Sequence, residues 1–100
     1  MRKYDAIIIT KAELPSGYHD ILKEKIENFL KRDNGKILNI DDWGKRKLSY
    51  NIKKMNKGHY LQYSYASNGK LNNEMQKYFE IDENILRYQI NLVDSEYVVN

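Results

Sequence analysis

From Lys3 to Thr10 the chain is a compact, largely β-branched run in which Tyr4, Ala6, Ile8 and Thr10 alternate with Lys3, Asp5, Ile7 and Ile9. Branching at Cβ suits a pleated backbone, so the run predicts a strand. Apolar residues on both of its faces predict a central one. Pro15-Ser16-Gly17 interrupts the pattern, with Ser16 placed to cap a following helix. Between Gly17 and Arg32, Tyr18, Ile21, Leu22, Ile26, Phe29 and Leu30 recur at three and four, separated by Lys23, Glu24, Lys25 and Glu27. That spacing predicts an amphipathic helix with a solvated stripe. Asp33-Asn34-Gly35 ends it, the glycine being available for a left-handed cap.

An extended stretch follows from Lys36 to about Leu48, where Ile37 and Ile40 stand three apart and predict a bulge. Gly58 to Ala66 alternates, with Leu61, Tyr63 and Tyr65 against Tyr60, Gln62 and Ser64. These two strands predict a hairpin, and the segment between them reads as too long for a tight turn. After Ser67-Asn68-Gly69, Leu71, Met75, Tyr78 and Phe79 predict a short helix. A last strand sets Leu86, Tyr88, Ile90 and Leu92 against Arg87, Gln89 and Asn91. The order β-α-β-β-α-β with right-handed crossovers predicts an α+β fold, the ferredoxin-like split βαβ, with a four-stranded antiparallel sheet and both helices on one face. One domain is expected over residues 1–93 and a short C-terminal tail over 94–100.

The 100 residues suffice for one hydrophobic core. The apolar stretch after Met1-Arg2-Lys3-Tyr4-Asp5 is too brief for a signal peptide, and no run approaches membrane-spanning length, so a soluble chain is expected. The absence of cysteine removes disulfides, thiolate nucleophiles and zinc–thiolate sites. Little suggests catalysis. His19 and His59 lie forty residues apart without metal-ligand spacing, the first expected to face solvent and the second to be half-buried in a structural role. Asp41-Asp42 and Asp82-Glu83 fall at expected element ends, where paired carboxylates usually face water. No glycine pattern cradles a phosphate. Lys11 to Gly17 lacks the arginine that an acylphosphatase anion loop needs. No enzyme activity, cofactor, metal or small-molecule substrate is expected.

Charge changes the picture. Trp43 to Gly58 holds Lys45, Arg46, Lys47, Lys53, Lys54 and Lys57 and no acidic residue. The chain has 17 basic and 14 acidic residues, so 11 basic face 14 acidic ones outside this segment and the net charge of +3 conceals a bipolar molecule. A field of one sign favours a polyanion, and phosphate contacts from such residues add salt-dependent affinity. Trp43, Leu48, Tyr50 and Ile52 interleave apolar surface with the charge. On an extended strand Lys45 and Lys47 project to one side and Arg46 to the other. A base-stacking platform of the RNA-recognition-motif type is not expected: in Lys57-Gly58-His59-Tyr60-Leu61 the stacking positions hold His59 and Leu61, and Tyr60 occupies the place of a small residue.

Trp43-Gly44-Lys45-Arg46-Lys47-Leu48-Ser49-Tyr50-Asn51-Ile52-Lys53-Lys54 resembles the signature Gly-x-basic-x-Leu-Ala/Ser-Tyr-x-Ile of one family, the sixth protein of the bacterial small ribosomal subunit. Met1-Arg2-Lys3-Tyr4-Asp5, Lys57-Gly58-His59-Tyr60 and Asn84-Ile85-Leu86-Arg87-Tyr88 are similar to its opening, third-strand and last-strand blocks, in the same order. Asn51 departs from it, standing where members often have proline. The resemblance implies a cytoplasmic structural protein that binds the central domain of small-subunit ribosomal RNA together with the eighteenth small-subunit protein during assembly. It implies RNA contacts at Arg2, Lys45, Arg46, Lys47, Lys53, Lys54 and Arg87, and protein-partner contacts at Trp43, Leu48 and Tyr50.

Overall fold

The computed structural model describes residues 1–98, so the end of the expected 94–100 tail lies outside the described residues. The elements are β1 (Arg2–Lys11), α1 (Tyr18–Lys31), β2 (Lys36–Ile52), β3 (Met55–Ser67), α2 (Asn72–Ile81) and β4 (Ile85–Asp94). They form one antiparallel sheet in the order β2-β3-β1-β4, with β1 in the interior as its two-sided apolar pattern predicts. β4 runs to Asp94, which pairs with Lys3.

Alternation decides the core. Tyr4, Ala6, Ile8 and Thr10 of β1 are buried, and Leu61, Tyr63 and Tyr65 of β3 share their face. α1 presses Tyr18, Leu22, Ile26 and Leu30 onto this face, and α2 adds Met75 and Phe79. Both helices therefore lie on one side. The opposite side carries Ile7 and Ile9, half-buried and covered by no helix. Burial pushes the Tyr63 phenol up to about 12, so the ring enters the core neutral. Asp82 does more than face water: its Oδ2 accepts the Tyr18 hydroxyl at 2.5 Å and its Oδ1 the Asn84 amide at 2.9 Å, fastening the start of α1 to the α2–β4 turn.

The first helix differs from expectation at both ends and at one position inside it. Gly17, in the left-handed region (φ 76°), is the N-cap, and Ser16 makes no side-chain cap. Ile21 is 52% exposed, because the apolar stripe centres on Leu22 and Ile26 and leaves Ile21 at its rim. At the other end Asn34 (φ 55°), rather than Gly35, takes the left-handed conformation. Asparagine tolerates that region. Gly35 serves another need: a Cβ there would strike the Ala66 carbonyl oxygen, so only glycine lets β2 leave α1 this close to β3.

Truncating Leu22 to Ala should destabilise the fold by about 2–5 kcal/mol through lost burial and a residual cavity, whereas Ile21→Ala should stay within about 0.5 kcal/mol. Chemical denaturation of the two variants checks the assignment.

Candidate nucleic-acid interface

β1 and β3 pair from Arg2 opposite Ser67 to Lys11 opposite Gly58, and there β1 ends. β2 and β3 continue past it as a two-stranded arm, paired at Lys47 opposite Lys57, interrupted by a register shift from Lys47 to Ile52, and closed at Ile52 opposite Met55. The basic segment is therefore hairpin strand rather than the long loop expected. Its turn is Lys53-Lys54 alone, with φ of 49° and 67°. Two central residues with positive φ define the type I′ turn, whose twist matches that of the strands. Lysine lacks the freedom of the usual Asn-Gly, which is why the turn carried no sequence signal.

The register orders the charges. Lys45 lies opposite His59, Arg46 opposite Gly58 and Lys47 opposite Lys57, so Lys45 and Lys47 share a face and Arg46 takes the other. Lys57, inside the basic run but outside the expected contacts, thus enlarges one face of the patch. Lys11, opposite Gly58 on β1, enlarges the other face, that of Arg46. Register alone reveals both. Lys45 Nζ lies 3.5 Å from Glu13 with both side chains largely exposed, a contact of small energetic weight. Arg46 Nε donates to the Trp43 carbonyl at 3.3 Å.

The arm bends over the open face of the sheet. Leu48, expected to meet a protein partner, is only 6% exposed. Its place beside Gly58 explains this. A Cβ on Gly58 would come within 2.7 Å of Ile9 Cγ2 and 3.4 Å of Leu48 Cδ2, so the missing side chain leaves the space into which Leu48 packs. Leu48 is the arm's anchor and offers no free surface. Beyond it Tyr50 reaches β4, where its hydroxyl accepts a hydrogen bond from Arg87 Nη1 at 2.6 Å and its ring lies 5.5 Å from the guanidinium. Lys53 Nζ donates to the Ile85 carbonyl at 3.2 Å. Arg87, Tyr50 and Lys53 are thereby brought together from distant stretches of chain.

Trp43 is 41% exposed and stacks on Tyr60 with ring centroids 6.3 Å apart. It occupies a register shift between Asp42 and Gly44, and a second shift between Ile37 and Asn39 is the expected bulge. Asp42 is a brace rather than a strand-end carboxylate: Oδ1 accepts the Gly44 amide at 2.8 Å and lies 2.6 Å from His59 Nε2. Partial desolvation works to raise its proton affinity, but these two bonds outweigh it and hold the carboxyl below the usual carboxylate range. Arg2 does not join the patch. It pairs with Ser67, nine residues from the Lys11–Gly58 end of the same ladder, about 30 Å away at strand rise. Among the described residues no group of three or more histidine or acidic side chains is arranged to hold a metal, and no helix is long and apolar enough to cross a membrane.

Fold and site together define a class: a small split-βαβ protein with a basic β-ribbon projecting from one end of its sheet. The family model of ribosomal protein S6 matches residues 3–91. The chain is 37% identical over 90 residues to the small ribosomal subunit protein bS6 of Clostridium perfringens, covering 90% of this chain and 95% of that protein. It is 34% identical over 96 residues to the bS6 protein of Desulforapulum autotrophicum, covering 96% of this chain but only 62% of that longer protein. The crystal structure of 30S ribosomal protein S6 from Thermotoga maritima superposes with a TM-score of 0.81 at 26% identity, covering 92% of this chain and 87% of that one. The chain belongs to the ribosomal protein S6 family, and with it to the small-subunit ribosomal proteins of the bacterial cytoplasm.

Gly58→Ala should cost about 1–3 kcal/mol by forcing a methyl against Ile9 and Leu48. Amide exchange should quicken along 48–57 more than in β1, because the anchor of the arm is what the methyl displaces. Uniform quickening of both strands would contradict the anchoring role of Leu48.

Proposed function

We propose that this chain is a non-catalytic structural constituent of the small ribosomal subunit that binds the central domain of small-subunit ribosomal RNA jointly with the eighteenth small-subunit protein. The observation that carries the reading is the basic hairpin itself: six basic residues and no acidic one from Trp43 to Gly58, with Lys45 and Arg46 at the end of the sheet and Lys47, Lys53, Lys54 and Lys57 on the ribbon beyond it, which turns toward Arg87. Lys45 and Lys47 on one face, Arg46 on the other and Lys53 and Lys54 at the tip can address phosphates from several directions. Arginine adds bidentate geometry at Arg46 and Arg87. Phosphate contacts position a protein without reading sequence, so discrimination among RNA sites falls to shape and to the partner.

Protein partner contacts fit the open side of the sheet, where the Trp43–Tyr60 stack adjoins half-buried Ile7 and Ile9. Tyr50, although exposed, is engaged by Arg87, so it contributes to such a surface through the edge of its ring. Arg2 belongs to a separate contact at the far end of the sheet.

Changing Lys45, Arg46 and Lys47 together to Gln should weaken RNA binding at least tenfold near physiological salt. The slope of log affinity against log salt should flatten by about 2–3, at roughly 0.7–0.9 per phosphate contact. An unchanged slope removes the arm from RNA binding. Partner binding that is indifferent to salt and to RNA would favour a protein-interaction module instead.

A further inference from the structure

The root of the arm holds a cluster that forty residues of sequence separation conceal. His19, in the first turn of α1, meets His59 of β3 with ring centroids 4.5 Å apart and planes inclined by 50°. His59 Nε2 lies 2.6 Å from Asp42 Oδ1 on β2. The same oxygen accepts the amide of Gly44, whose backbone is left-handed (φ 78°). His19 Nδ1 is buried without a hydrogen-bond partner, so this ring does not face solvent as its helix position suggested. Two imidazoles and one carboxylate thus connect α1, β3 and β2 beside the shift that carries Trp43.

The other charged groups around the pair are Asp20 on α1, Glu13 in the loop after β1, and Lys45 on β2, the last two paired with each other. The ring of Tyr18 meets His19 edge-on at 6.1 Å. None of these supplies an acceptor for His19 Nδ1.

We propose that His19 and His59 form a proton-operated latch at the root of the arm, closed while the pair holds at most one proton and released when both rings are charged. His59 has a carboxylate to receive its N–H. A neutral His19 can leave Nδ1 bare. Protonation would place an N–H at that buried, unpartnered position and a second positive ring beside the first, and both effects oppose charging. Burial and the neighbouring His59 accordingly hold His19 below the ordinary histidine range, and Asp42 and Asp20 act the other way without cancelling them.

The sign follows from proton counting. An unfolded His19 takes its proton near pH 6.5, before the folded one does. Between those points the unfolded chain binds more protons, so stability is complete above about pH 6.5 and falls as pH drops toward the folded value. Asp42, held low by its two bonds, loses its contribution only in a separate and more acidic window. Repulsion between the two charged rings would draw His59 from Asp42 and so loosen the bulge beneath Trp43 on its β3 side, while the Asp42–Gly44 bond persists, whatever the arm binds.

Histidine ring resonances of the full chain, followed by NMR from about pH 8 to about 4.5, test this without any variant. His19 should titrate below 6.5. Trp43, the only tryptophan, reports the bulge by fluorescence. Its emission should change over the same interval, with a thermal midpoint lowered by a few degrees. His59→Gln should raise the His19 midpoint, and His19→Gln should abolish the emission change between about pH 7 and 5. A His19 ring that titrates at or above 6.5, or an emission profile unaltered by His19→Gln, would overturn the latch. Neither readout involves RNA, so its failure leaves the proposed RNA role standing, and the reverse also holds.

Discussion

Two strands of this sheet outrun the other two, and the molecule's chemistry depends on how the excess is held. A lone two-stranded ribbon is marginal in water. Past Lys11 the arm has no third strand beside it, so its order rests on contacts at root and tip. Leu48 supplies the first, seated where Gly58 leaves room above Ile9. Tyr50 and Lys53 supply the second through Arg87 and the Ile85 carbonyl on β4. One apolar anchor and two polar tethers convert a flexible basic hairpin into a surface with a direction.

That surface is built against its own electrostatics. Lys47 and Lys57 stand directly opposite each other, where like charges are destabilising. The turn places two lysines in the left-handed region, which favours glycine or asparagine. The exposed Lys45–Glu13 pair offsets little of this. A polyanion laid along the arm would relieve the cross-strand repulsion and stabilise the ribbon by mass action at the same time. Such tension is consistent with an arm whose counter-charge comes from outside the chain.

How much of this was legible in the sequence depends on the range over which each interaction acts. Period-two alternation placed β1 and β3, and the spacing of Ile37 and Ile40 announced a bulge, because both patterns are local. The strand character of residues 49–57 was hidden, since polar and basic residues there erase alternation and Lys53-Lys54 lacks the usual turn residues. Leu48 read as a partner contact because its burial comes from an absence, the missing Cβ of Gly58, seen only once register is known. Ile21 and Leu22 look equivalent on a helical wheel, and the sheet beneath them decides which is covered. His19 and His59 meet only because a crossover returns α1 to the edge of β3. Residue type thus indicated the chemistry, and tertiary register assigned the places.

The same register bears on how a protein partner would approach. β2 is an edge strand, and a regular edge is a template for strand addition. Its ladder is broken by shifts at Ile37–Asn39, at Asp42–Gly44 and at Lys47–Ile52, so its outward hydrogen-bonding groups do not follow a continuous extended pattern. The open face has the opposite character: Ile7 and Ile9 lie half-buried near the stacked rings of Trp43 and Tyr60, and the arm leans over Ile9. Apolar surface that one side chain of the arm covers only in part is where a second polypeptide would gain most. An irregular edge offers such a partner little. The geometry therefore favours docking across the face, with the basic arm at its margin left free for a polyanion.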